Sequence, residues 1–231
     1  MGLSGFSDAL PGEGPASGVG LWIATVISYV VNPLVLPPVV YGLVLGHVAA
    51  PDGEIATGVG IAAFFLGVVP LVHVGWMRWQ GRVASLEIRD RRKRTEPFLG
   101  VLGAGGGALL AIVALQEVGQ GLLMALVGCH LLNTGLLFLI TTRWKISVHC
   151  ASMAGAWATL LYARMHVPGD LLATARVGDA VLGAGAVLVP LLLWARVRSG
   201  AHTWAQATAG TALGLVAPYA ELYVIGAGMG T

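Results

Sequence analysis

Arg196 and His202 stand with five residues between them in ARVRSGAHTWAQ, residues 195–206, at the end of a long apolar run. Gln206 follows the histidine four positions later, on the same face if the segment is helical. A second histidine, His149, closes the stretch ISVH at 146–149, with Ser147 two residues before it. A third polar cluster, RDRRKRTEP at 89–97, supplies Arg89, Arg91 and Arg94. A guanidinium matches phosphate oxygens in geometry and keeps its charge at any relevant pH. Histidine near neutral pH can attack as a nucleophile or deliver a proton as a general acid. Arginines with two histidines therefore suit phosphoryl transfer that needs no metal. One imidazole would attack phosphorus, the other would protonate the departing oxygen, and the guanidiniums would stabilise the equatorial oxygens. No HExxH or cysteine-rich ligand spacing is present, so neither a metal nor another cofactor is expected.

Such a site must be assembled by elements far apart in the chain. Of the 231 residues, 10% are charged and 56% hydrophobic. A soluble domain carries about 25% charged residues, so this composition calls for the bilayer as solvent. Apolar segments fall at about 19–49, 57–77, 98–116, 119–141, 146–165, 175–195 and 203–228, most with the roughly 20 residues that a spanning helix needs. The expectation is an all-α, polytopic transmembrane helix bundle of about six to seven spans: a polar tail over 1–18 and a single domain over 19–231. The first segment holds Asn32, Pro33, Pro37 and Pro38, and is counted as one span, kinked or broken. Gly103–Gly107 and Gly210–Gly214 have the spacing of close helix packing. Cys129 and Cys150 read as small buried hydrophobes, not a disulfide framework.

Alternation then makes a geometric prediction. If residues 78–97 emerge on one face, called side A, each following pair of spans returns the chain to it, at Arg143–His149 and at Arg196–His202. Three distant clusters should meet there. On a helix, Glu87 would pair with Arg91 and Asp90 with Arg94. Side A collects Arg78, Arg82, Arg89, Arg91, Arg92, Lys93, Arg94, Arg143, Lys145, Arg196 and Arg198, against Arg164 and Arg176 opposite. By the positive-inside rule that face is cytoplasmic, in a protein of the plasma membrane.

The three clusters resemble the motifs of the type 2 phosphatidic acid phosphatase superfamily, membrane branch: K-x6-R-P, P-S-G-H and S-R-x5-H-x3-D. The third is matched by ARVRSGAHTWAQ, which puts Arg196 on the phosphate-binding arginine and His202 on the nucleophilic histidine. The second is similar to ISVH, keeping Ser147, and His149 as general acid. The first is matched loosely by the segment ending at Pro97, with Arg89 on its lysine and Glu96 where its arginine stands; Arg91 or Arg94 would supply that cation. Gln206 replaces the aspartate that orients the nucleophile, and Ile146 and Val148 replace proline and glycine. A glutamine carbonyl can fix the imidazole tautomer but offers no charge to an imidazolium.

The resemblance implies a lipid-phosphate phosphatase acting through a phosphohistidine on a substrate such as phosphatidate, phosphatidylglycerophosphate or a polyprenyl (pyro)phosphate. Its partners would be that lipid and the bilayer, with no nucleic acid. Two other readings stand beside it. A phospholipid-binding or scaffolding protein that has lost turnover is favoured by Gln206 and Glu96. A transporter would use polar mid-span residues, for which His130, Asn133, Glu221 and the prolines of the first segment are the material. An interhelical hydrogen bond is the better account of His130 and Asn133, and His47, His73 and His166 are given no role.

Overall fold

The computed structural model describes residues 18–86, 88 and 90–229. Among these residues it is all-α, a helix bundle without strands. The elements are α1 (Val19–Val30), α2 (Leu36–His47), α3 (Asp52–Ile61), a π-helical turn (Ala62–Val68), α4 (Val69–Trp79), a 3-10 turn (Arg91–Lys93), α5 (Thr95–Leu115), α6 (Gln120–Arg143), α7 (Val148–His166), α8 (Ala175–Arg198) and α9 (Trp204–Met229). Five stretches are long and apolar enough to cross a membrane: Asp52–Trp79, Arg91–Leu115, Gln120–Arg143, Ala175–Arg198 and Trp204–Ala227. Their outer faces carry apolar side chains in the open, Leu110 at 74% exposure and Val224 at 70% among them. Such surface is tolerable only against lipid, and the chain is a membrane protein.

The expected first span is two helices. Between α1 and α2, Asn32 accepts from the Leu34 amide through Oδ1 at 3.0 Å, and its carbonyl accepts from the Val35 amide at 3.0 Å. This asparagine turn, with Pro33 inside it and Pro37 in the first turn of α2, ends one helix and starts the next. A second irregularity lies beside the first. Pro70 has no N–H for the Leu66 carbonyl, and the Val69 amide reaches back to Phe64 instead, giving the π turn. The two features touch, because a Cβ on Gly67 would sit 3.1 Å from the Leu34 carbonyl oxygen.

The centre of the bundle is α7, which has buried positions along its whole length, from Cys150 to Ala163. It packs against α9, α8 and α2. The seam with α9 uses Gly210 and Gly214, where an added Cβ would lie 2.5 Å from the Ser147 carbonyl oxygen and 2.2 Å from that of Ala151. Only glycine lets the backbones come so close. The other glycine pair divides. Gly107 packs on Phe65, while Gly103 has nothing within 4 Å, and the close approach on α5 is made by Gly105 against Leu131. On the face opposite side A, His47 is wholly buried; its ring lies 3.0 Å from the Val167 carbonyl and accepts from the Leu172 amide at 3.2 Å, a structural histidine.

Candidate functional site

The last turn of α8 places Arg196, and the short connection after it places His202. Gly200 takes φ +66° and donates to the Val197 carbonyl at 3.0 Å, the left-handed helix ending that glycine tolerates best. The chain then turns back on itself, and the His202 amide donates to the Arg196 carbonyl at 3.2 Å. Both residues are closed off, Arg196 at 3% exposure and His202 at 7%.

Gln206 has a double task. Its Oε1 accepts from the Thr203 amide at 3.3 Å, while Thr203 Oγ1 accepts from the Gln206 amide at 3.3 Å. This is a capping box that closes the first turn of α9. The same Oε1 lies 3.2 Å from His202 Nδ1. An amide oxygen only accepts, so Nδ1 carries the proton and Nε2 keeps its lone pair. Glutamine here is thus the third residue of a helix cap, recruited to fix an imidazole.

The three distant clusters do meet on one face. Arg94 Nη1 donates to the Ile146 carbonyl at 3.4 Å and its Nε to that of Ile88 at 2.8 Å. Lys145 Nζ donates to the Ala201 carbonyl at 2.7 Å, Arg91 Nη1 to that of Thr142 at 2.5 Å, and the Ser147 amide to that of Gln206 at 3.3 Å. Buried Ser147 also caps α7, its Oγ accepting from the Cys150 amide at 3.4 Å. Burial first, then the charges of Arg196, Lys145 and Arg94, push the His202 imidazole down to about 3, so it is neutral at any physiological pH.

The remaining candidates are placed less centrally. His149 stands half-buried in the first turn of α7, two residues beyond Ser147. Arg91 is held at the C-terminal end of α6 through Thr142. Arg89 and Glu87 lie outside the described residues. Residues Arg91–Lys93 form a short 3-10 turn, capped by Asp90, which accepts from the Arg92 amide at 3.0 Å, so Asp90 and Arg94 do not share an α-helix. Glu96, in the place of an arginine, pairs instead with Arg82 at 2.5 Å and His73 at 3.4 Å. Two participants were not singled out from the sequence. Lys145 was counted only as a side A charge, and nothing in its spacing marks it. Thr203 was legible, since T-x-x-Q before an apolar run is a helix-start signature.

The shifted imidazole has a consequence for stability. An ordinary histidine takes its proton near pH 6.5, whereas folded His202 resists to about 3. Between those values the unfolded chain binds a proton that the folded chain refuses. Its contribution is therefore complete above pH 6.5 and is lost as pH falls toward 3, with a limiting slope of about 1.4 kcal/mol per pH unit. His202→Gln should show a smaller fall in Tm between about pH 7.5 and pH 5 than the native protein; an equal fall would mean that His202 titrates normally.

No family model matches the chain, and neither the curated proteins nor the solved structures compared with it yield a match.

Proposed function

We propose that this protein is a membrane lipid-phosphate phosphatase of the type 2 phosphatidic acid phosphatase kind, working through His202. The observation that carries the reading is the state of that imidazole: neutral, with Nδ1 directed at Gln206, and faced by Arg196, Lys145 and Arg94. A neutral imidazole with a fixed Nδ1–H is a nucleophile at Nε2. Nε2 attacks phosphorus and the bond to the lipid oxygen breaks, with His149 giving that oxygen its proton. Arg196 and Arg94 neutralise the equatorial oxygens, and Ser147 contributes to the phosphate-binding turn. Water then cleaves the phosphohistidine, returning Nε2 and inorganic phosphate. The substrate's tail stays in the bilayer while its headgroup reaches side A. That face is the cytoplasmic side of the plasma membrane, by the balance of its arginines and lysines. Because Arg196 and His202 are buried, phosphate reaches them only when the packing around them opens locally.

A second reading, binding without turnover, is favoured by Gln206, which offers no charge to an imidazolium, and by Glu96, which pairs with Arg82 where an arginine would hold phosphate. The deciding assay is phosphate release by the purified protein in mixed micelles, across phosphatidate, phosphatidylglycerophosphate and polyprenyl pyrophosphate. Gln206→Glu is the informative companion. It keeps the T-x-x-E cap and the reach to Nδ1, and adds the charge that an imidazolium wants. Release by the native protein, increased about tenfold or more in Gln206→Glu, is the expected result. Release by Gln206→Glu alone would establish the binding reading, and silence from both would overturn the phosphatase.

A further inference from the structure

A cavity of about 220 Å³ lies among the helices, with neither His202 nor Arg196 in its lining. Its walls come from the break between α1 and α2 (Pro33, Leu34), from Tyr41 on α2, and from Leu66 in the π turn. Its polar lining includes His130, Asn133 and Thr134 on α6 and Ser152 and Thr159 on α7. Broken or π-wound backbone at membrane depth persists only where protein or a cavity lies against it. Here both irregularities of the fold border the same cavity.

Two polar atoms in this lining are buried with no hydrogen-bond partner among the described residues, Tyr41 Oη and His130 Nε2. Tyr41 is 3% exposed. Buried hydroxyls in proteins are almost always satisfied, so one that lines a cavity unpaired asks for a partner there. The lining contains no Lys, Arg, Asp or Glu to balance a charged guest. Just outside it, Glu221 accepts from Asn133 Nδ2 at 2.6 Å and would repel an anion. An isolated charge without such balance is excluded from apolar surroundings.

We propose that this cavity is a binding site within the membrane for an uncharged, lipid-soluble molecule bearing a hydroxyl or carbonyl oxygen. The oxygen accepts from Tyr41 Oη, and a hydroxyl guest donates to His130 Nε2. The apolar body lies along Leu66, Leu126 and Leu137. The site does not depend on the phosphatase reading: neither His202 nor Arg196 lies in its lining, and Val148, which does, has no role in that reading although it stands between Ser147 and His149.

The test uses the full-length protein in lipid nanodiscs and a long-chain alcohol carrying a diazirine. The alkane and the carboxylic acid bearing the same diazirine are run in parallel. The alcohol should crosslink within residues 33–41 and 126–137, and unlabelled alcohol should compete. Tyr41→Phe should weaken that competition about tenfold, the worth of one hydrogen bond to a buried group. Its own Tm without probe should be unchanged or higher, because an unpaired hydroxyl has been removed, so weaker labelling would not reflect misfolding. Equal labelling by the alkane, preferential labelling by the acid, or an unchanged midpoint in Tyr41→Phe would each overturn the proposal.

Discussion

Gly214→Leu should leave no folded protein that survives purification. A Cβ at this position would lie 2.2 Å from the Ala151 carbonyl oxygen and 2.9 Å from the Ala154 Cβ, both on the central helix. No side chain can swing aside, because the first obstacle is backbone. The two helices would have to separate along their closest seam, where Gly210 approaches Ser147 in the same way. Overpacking in a yielding core costs about 1–3 kcal/mol, and a seam that cannot yield costs more. Gly103→Leu is the matched control, since nothing lies within 4 Å of its added carbon. Size-exclusion chromatography in detergent and a thermal melt compare the two. A monodisperse Gly214→Leu with native Tm would mean that α7 and α9 do not pack as described.

His202→Ala should remove phosphate release by at least about a thousandfold, the order expected when the nucleophile of a covalent mechanism is lost. The variant keeps Arg196 and the cap of α9, so phospholipid binding should persist. His149→Ala separates the two histidines. A general acid matters for a poor leaving group such as a lipid alkoxide and little for an aryl phosphate, whose phenolate departs unaided. His149→Ala should therefore lose the lipid substrate and keep an aryl phosphate, whereas His202→Ala should lose both. Retention of release in His202→Ala would exclude phosphohistidine chemistry at this position.

The bundle was legible because its signal is simple. Apolar runs at 57–77, 98–116, 119–141, 175–195 and 203–228 became the five long apolar helices with ends shifted by a few residues. Alternation across these and the expected span at 146–165, which is α7, was enough to bring residues 91–94, 143–149 and 196–206 to one face. The break at Asn32–Pro33 was visible as composition, but whether it bends or parts a helix depends on the asparagine turn. The π turn was invisible, since Pro70 alone does not say which carbonyl its neighbour will choose. Within the site, Arg196, His202 and Gln206 come together, and the glutamine's second bond to Thr203 explains a choice that spacing left open. Lys145 acts on His202 from another loop, a proximity that arises only once the helices have packed. Asn133 and Glu221 do form the interhelical bond that mid-span polar residues on facing helices invite.

Helix α7 is not among the stretches apolar enough to cross a membrane by themselves, although it is 19 residues long and lies at the bundle's centre. Its own hydropathy therefore favours the bilayer less than that of the five long stretches does. Its polar positions Ser152 and Thr159 line the cavity shared with α2 and α6, and its small positions pack against α9. The place of α7 at the centre of the bundle thus depends on its neighbours more than on its own apolarity. A chain that stops before Trp204 would lack the seam at Gly210 and Gly214 and leave α7 covered by α8 and α2 alone.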